Sequence, residues 1–431
     1  MKIKELNVGD KILLRTKEKD FEGGILESYD SSVVLLKLES GYNIGIRESE
    51  ILGVKVIEKN KVLEKDFESE EIVKKSDDKL PNVGIVITGG TISSRLDSKT
   101  GGVRWTSVKD LFNISKDLKK ICNIKKIERP FMKGSEDISF REWKIIAKKV
   151  EEMLKDEAID GVVVTHGTDT LHYSASALSF FLGKLNKPVA LTYSQRSIDR
   201  GSTDASLNLY CAMKYAVSDI AEVAIVGHEN LEDKNCVAMP GTKIRKLHTS
   251  RRDAFKVVNS RQLARISKDN FEILNEFNAR NKNKIKADIK FEEKVTVIKI
   301  SPGQNPEILD FYQDKGYKGI VLELTGLGQA PGKDSIYNWI PKIKKLVNEG
   351  IIVCGTAQTI YGSLNPKVYS TGRELEKTGL IFLRDMLSET AFVKLGWVLG
   401  HKNWTKDKGT VKEKMLMNFA NEFNSKLGFE F

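Results

Sequence analysis

Ile85-Val86-Ile87-Thr88-Gly89-Gly90-Thr91-Ile92 decides the fold. Three β-branched apolar residues run into a Thr-Gly-Gly-Thr turn, the pattern of a buried parallel strand that ends at a tight loop. In an open α/β sheet, ligands bind just beyond the carboxyl ends of the strands. Thr91 falls there, on a backbone that the two glycines let bend sharply and approach a substrate.

The geometry recurs downstream. Gly161-Val162-Val163-Val164-Thr165 is a second apolar strand, followed at once by His166-Gly167-Thr168-Asp169-Thr170 and a helical segment from Leu171 to Leu182. A second hydroxyl and a carboxylate therefore sit at a strand end and a helix start. Lys246, in Gly241-Thr242-Lys243-Ile244-Arg245-Lys246-Leu247-His248, is the third candidate. Two Thr hydroxyls, an Asp and a Lys make a nucleophile set without Cys or His. A Thr hydroxyl is inert by itself and needs a base or relay, which a Lys held by Asp beside a second Thr supplies. Burial favours a neutral Lys base and the carboxylate opposes it, and the sequence leaves that balance open. The competing reading makes Thr91 and Thr168 helix caps, Asp169 a carboxylate favoured by the helix dipole, and Lys246 a solvated cation.

Outward from this centre, strands and helices alternate from residue 82 to about 268, which implies a parallel sheet. A second α/β unit starts at Val295, with strands at 295–300, 319–324 and 351–354 and helices at 306–315 and 335–348. The end, 413–427, has amphipathic helical spacing at Met417, Phe419, Ala420 and Phe423. Residues 1–58 show short alternating runs between Gly, Asp and Ser turns, a small antiparallel five-stranded barrel with no titratable cluster. The expected organisation is a docking module (1–58), a charged, partly helical linker (59–80), a catalytic α/β domain (81–268), a polar connection (269–291) and a smaller α/β domain (292–431).

Charge narrows the function classes. Fifteen Lys/Arg face eighteen Asp/Glu over residues 1–80, so that stretch is near −3 and the rest carries about +14 of the net +11. The N-terminal module is therefore not a basic RNA clamp. The four cysteines show no Cys-x-x-Cys and read as buried small hydrophobes. The five histidines have no metal-ligand spacing, and His166 reads as a residue that holds its turn by hydrogen bonds. No P-loop is present, so ATP is not expected to bind this chain. No apolar run is long enough for a membrane span, and Met1-Lys2-Ile3-Lys4-Glu5 has no signal core, so cytoplasm is the expected compartment.

Thr88-Gly89-Gly90-Thr91-Ile92 and His166-Gly167-Thr168-Asp169-Thr170, in this order and with the Lys246 block behind them, resemble the two signature motifs of the bacterial-type L-asparaginase/glutaminase family. Residues 81–431 carry the resemblance. Ile92-Ser93-Ser94-Arg95, Lys246-Leu247-His248-Thr249-Ser250-Arg251-Arg252-Asp253, Leu324-Thr325-Gly326-Leu327-Gly328 and Tyr369-Ser370-Thr371-Gly372-Arg373-Glu374-Leu375 are closer to one branch, the D subunits of archaeal glutamyl-tRNA(Gln) amidotransferases. The resemblance implies a two-domain asparaginase-like α/β body behind the N-terminal barrel. It implies that Thr91 attacks the side-chain amide of Gln or Asn, and that Thr168, Asp169 and Lys246 relay its proton. In the family, the block at Gly134-Ser135-Glu136-Asp137 holds the substrate's α-carboxylate and α-ammonium. Ser135 matches the carboxylate position, and Glu136 stands where bacterial members have Gln. Gly90 and Gly167, beside the two hydroxyls, and Gln329, where the family commonly has Asn, complete the substrate-binding set.

The polar, Gly-rich stretch after Thr91 reads as a mobile lid. In stand-alone asparaginases the lid carries a tyrosine that supports the nucleophile, and residues 92–106 contain none. The partners implied are the amidotransferase's E subunit, which binds Glu-tRNA(Gln) and uses ATP and Mg2+, and a second copy of this chain in a two-plus-two complex, with no cofactor or metal in this chain. A stand-alone asparaginase or glutaminase is the alternative function, and a non-catalytic binding module a third.

Overall fold

The computed structural model describes residues 6–425, apart from 8, 27, 29, 31, 39–42, 60–76, 97–102, 107–110 and 113–115. Most of the linker and the tip of the stretch expected to form a lid lie outside the described residues.

The N-terminal module is an antiparallel sheet of β1 (Lys11–Thr16), β2 (Asp20–Leu26), β3 (Val33–Leu38), β4 (Asn43–Arg47) and β5 (Ile51–Glu58) in the order β4-β3-β2-β1-β5. Two register shifts between β1 and β5 curl the sheet around Ile12, Leu14, Ile25, Leu36 and Ile46. β4 and β5 do not pair among the described residues, so the expected barrel is an open, curled sheet there.

The body begins with β6 (Asn82–Ile87). It continues through the hairpin β7 (Ser94–Leu96) and β8 (Val103–Trp105), then β9 (Asn123–Glu128), helix α1 (Phe140–Lys155), β10 (Gly161–Thr165), α2 (Leu171–Leu182), β11 (Val189–Thr192), α3 (Ala205–Ala216) and β12 (Val223–His228). Strands β9-β6-β10-β11-β12 lie side by side and parallel. An antiparallel extension follows: β13 (Cys236–Pro240), β16 (Ala264–Ile266) and β17 (Phe271–Ile273). Between β13 and β16, β14 (Ile244–Lys246) and β15 (Phe255–Val257) form a separate two-stranded ribbon.

The sheet is apolar on both faces, which is why its strands read as unbroken apolar runs. Val162 and Val164 pack on the side of α1 and α2, while Val163 faces the side of α3. Helix α1 starts at Phe140 because Ser139 and Glu142 form a capping box.

The smaller domain is a parallel sheet of β18 (Val295–Lys299), β19 (Gly319–Leu324), β20 (Ile352–Ala357) and β21 (Ile381–Phe382). Its helices are α4 (Ile308–Asp314), α5 (Ile340–Asn348), α6 (Ser370–Glu376), α7 (Ser388–Leu399) and α8 (Lys408–Leu416). Helix α5 starts later than its apolar spacing suggests, with Pro341 in its first turn. The terminal helix is also displaced: it covers 408–416 and stops before Met417, where a helix is expected to continue. Asp407 caps its start. Beyond it, Glu422 accepts the backbone N–H groups of Phe419 and Ala420, and Lys394 Nζ donates to the carbonyls of Met415 and Met417. These bonds replace the helical ladder. One apolar cluster runs from α1 and α2 through α7 to Val321 and Cys354, so the two domains share a core. All four cysteines are free and buried, as expected.

Candidate active site

The chain leaves β6 in one direction, toward β9, and returns on its other side as β10. The crevice between β6 and β10 is therefore the topological switch point of the sheet, where ligands bind in open α/β folds. The two strands end level, with Ile87 opposite Thr165. Thr88 Oγ1 donates to Thr165 O at 2.8 Å and closes the seam between them. Thr91 and Thr168 emerge on either side of this point.

Glycine sets the backbone here. Gly89 (φ 117°) and Gly90 (φ 74°) occupy the left-handed side of conformational space. A Cβ on Gly90 would overlap the backbone of Gly167, and one on Gly167 would lie 2.7 Å from Ser135 Oγ. Gly90 and Gly167 thus meet backbone to backbone, and Gly167 lies against the Ser135 side chain. We expect Gly90→Ala to abolish ammonia release while the chain stays folded. The strain of a left-handed non-glycine residue is about 1–2 kcal/mol, far less than a domain's stability, but the clash separates the two Thr loops. Circular dichroism and an amidase assay on the same sample check this.

Thr91 opens a short 3-10 turn (Thr91–Ser93), and its hydroxyl makes no hydrogen bond among the described residues. Ser94 Oγ donates to Thr91 O at 2.9 Å and fixes its backbone. The β7–β8 hairpin is tied down at its base: Thr106 N donates to Ser93 O, and Ile198 N to Ser94 O.

Lys246 reaches the second loop from the ribbon. Its Nζ donates to Thr168 Oγ1 and to Asp169 Oδ1, both at 2.8 Å. The lysine side chain is 11 % exposed and that of Asp169 61 %, so the pair has a dry end and a wet end. Ser135 is buried. Its Oγ accepts from Asp169 N at 2.9 Å and its carbonyl accepts from Thr170 Oγ1 at 2.5 Å, which positions the Thr168 loop. Glu136 is exposed beside it, its carboxylate against Gly134. Of the candidates, Gly90, Thr91, Ser135, Glu136, Gly167, Thr168, Asp169 and Lys246 are gathered at the strand ends. Gln329 lies in the smaller domain, where its hydrogen bonds stay within its own turn, to Thr325 and Leu327.

His166 is fully buried. Its Nδ1 donates to Gly167 O at 2.7 Å, so its Nε2 accepts from Ser174, which in turn accepts from Trp143 Nε1. Burial pulls its pKa down to about 4, and that of His172 to about 3. Unfolded, both titrate near 6.5. Their neutral burial therefore contributes stability that is fully present above pH 6.5 and is lost as pH falls toward the folded values. Between pH 6.5 and 4, His172→Phe is expected to flatten the pH dependence of unfolding free energy by about 1.4 kcal/mol per pH unit. Urea titrations at several pH values read this directly.

Sequence reasoning missed three residues around the site: His172, Arg245 and Glu389. Arg245 Nε pairs with Glu389 Oε1 at 2.9 Å, and His172 Nε2 lies 3.9 Å from the same oxygen. Glu389 comes from the smaller domain, and no spacing signal links it to the others. Among the described residues no cluster of His, Cys, Asp and Glu is arranged to hold a metal, and no helix is long and apolar enough to cross a membrane.

Residues 82–279 match the family model "Asparaginase, N-terminal", 294–415 "Glutaminase/Asparaginase C-terminal domain" and 6–57 "GatD N-terminal domain". The glutamyl-tRNA(Gln) amidotransferase D subunit of Thermococcus kodakarensis is 44 % identical over 99 % of this chain and 96 % of its own length. The D subunit of Methanothermobacter thermautotrophicus is 40 % identical over 98 % and 95 %. Among solved structures, the thermostable L-asparaginase from Thermococcus kodakarensis superposes with a TM-score of 0.71 at 28 % identity, covering 80 % of this chain and all of its own. On these grounds the chain belongs to the family of glutamyl-tRNA(Gln) amidotransferase D subunits, built on the asparaginase fold.

Proposed function

We propose that this chain hydrolyses the side-chain amide of Gln or Asn at Thr91 and supplies the ammonia to its partner, the E subunit of the amidotransferase. The observation that carries the reading is the Lys246 Nζ bonded at once to Thr168 and Asp169, one loop from an unengaged Thr91 hydroxyl. Thr91 Oγ attacks the amide carbon and its proton enters the relay. The C–N bond breaks, and ammonia departs with that proton, leaving an acyl ester on Thr91. Water then releases the acid and restores the hydroxyl. The N–H groups of Thr91 and Thr168, which have no hydrogen-bond acceptor among the described residues, are suited to hold the oxyanion. Ser135 and Glu136 face the substrate's α-carboxylate and α-ammonium, and Glu136 attracts the latter by charge. Gly90 and Gly167 let the substrate approach the backbone. Gln329 acts only if the smaller domain of a second copy closes the site.

In this reading the E subunit binds Glu-tRNA(Gln), activates its glutamate with ATP and Mg2+, and receives the ammonia, and two copies of each subunit assemble. The relatives' names and the match of residues 6–57 to "GatD N-terminal domain" support it. The test is ammonia release from Gln and Asn by the full chain, alone and with the partner and Glu-tRNA(Gln). Weak release alone that rises with both supports coupling. Strong release indifferent to them makes the chain a free asparaginase or glutaminase.

A further inference from the structure

Lys246 sits on a poor support. Among the described residues, strand β14 has three residues, pairs only with β15, and is separate from the main sheet. A two-stranded ribbon is marginal by itself, so something else must hold the lysine in place. The surroundings of β14 supply the means. Lys243, just before the strand, pairs with Asp385 at 2.5 Å, both side chains 1 % exposed. Arg245 pairs with Glu389. Thr242 O accepts from Thr390 Oγ1 at 2.9 Å. Asp385, Glu389 and Thr390 all belong to the start of α7 and the turn before it, in the smaller domain.

Alternation along a strand turns these anchors into an aiming device. Within the strand, residue 245 points to one face, and 244 and 246 to the other. With Lys243 and Arg245 fixed on the smaller domain, Ile244 is driven into the shared core and Lys246 is turned toward Thr168 and Asp169. The anchors are themselves braced. Asn424 donates to Asp385 through both its backbone N–H and its side-chain amide. Among the described residues, Glu389 Oε2 and His172 Nδ1 are buried without a hydrogen-bond partner. Burial pushes the Glu389 carboxyl up, and the Arg245 guanidinium is the charge that opposes that push.

We propose that Asp385 and Glu389 of the smaller domain are positioning residues that aim Lys246 at Thr168 and Asp169 in the same chain. The catalytic domain then lacks a correctly placed relay lysine unless its own smaller domain is docked. This rests on the reading of Lys246 as the relay lysine.

The test uses the full chain with Glu389→Gln and, independently, Arg245→Gln. Each retains a hydrogen-bonding end but removes one charge of the pair. Two readouts are taken. The first is acylation of Lys246 by a small amine-reactive ester, measured by peptide mass spectrometry against exposed Lys119. The second is kcat and KM for amide hydrolysis. The expected result is several-fold faster acylation of Lys246 in both variants, with Lys119 unchanged. In both, kcat should fall about ten- to a hundredfold, the scale of a relay group displaced by about 1 Å, with KM nearly constant. Equal acylation of Lys246 in wild type and variants, or a change confined to KM, overturns the proposal. If the wild-type chain releases no ammonia with or without its partner, the amidase reading fails, and the acylation rates still decide whether the smaller domain positions Lys246.

Discussion

Lys246→Met lowers kcat for amide hydrolysis about a thousandfold, within the range that positioned proton transfer contributes, and leaves KM within about threefold. Methionine is close to lysine in length and fills the same space, so the ribbon keeps its place. What disappears is the amine bonded to both Thr168 Oγ1 and Asp169 Oδ1. The two loops keep their shape because Ser135 and the Gly90–Gly167 contact hold them independently of the lysine. An unchanged KM is therefore the discriminating half of the result: binding groups stay while the relay goes. Lys246→Arg is not expected to rescue the rate, because a guanidinium stays protonated and cannot exchange a proton with Thr168. Steady-state ammonia release from Gln and from Asn measures all three enzymes.

Glu422→Ala destabilises the chain by about 3–5 kcal/mol, the usual result of removing one member of a buried ion pair. Lys394 and Glu422 are fully buried and 2.5 Å apart, and burial already pulls the lysine below its ordinary range against the opposing pull of the carboxylate. Without Glu422 the ammonium keeps the carbonyls of Met415 and Met417 and the ring faces of Phe419 and Phe423 but no counter-charge among the described residues, and the N–H groups of Phe419 and Ala420 lose their acceptor. Replacing both partners, as Lys394→Met with Glu422→Gln, removes the uncompensated charge and costs less than the single change. Urea unfolding of the three chains gives the comparison. The effect reaches the site as well, because Asn424, two residues on, braces Asp385.

What the sequence disclosed follows from how local each cause is. β6 and β10 were legible because a strand buried on both faces must be apolar throughout. That Thr168, Asp169 and Lys246 come together was legible because they sit at a strand end or in a ribbon whose motif is contiguous. The start of helix α1 has an equally local cause, because the capping box that sets it lies within four residues. The terminal helix differs for the opposite reason. Met417, Phe419 and Phe423 are spaced as on a helix, yet their conformation is dictated by Glu422 and by Lys394 on another helix. Alternation in the N-terminal module predicts its five antiparallel strands, whereas how the sheet's edges β4 and β5 stand to each other is a long-range outcome that alternation does not report. Glu389 and Asp385 were invisible as site residues because an Asp or Glu at the start of a helix looks like an ordinary capping or dipole partner. Only the fold reveals that they face β14.

The most direct measurement is ammonia release from Gln and Asn by the wild-type full chain and by Thr91→Ala, in the presence of the E subunit and Glu-tRNA(Gln). The expected result is release by the wild type and a loss of about ten-thousandfold or more in the variant, as for a missing nucleophile, with the variant still folded and still associating with its partner. Release that survives Thr91→Ala would contradict the assignment of the nucleophile, and with it the mechanism built on the β6–β10 crevice.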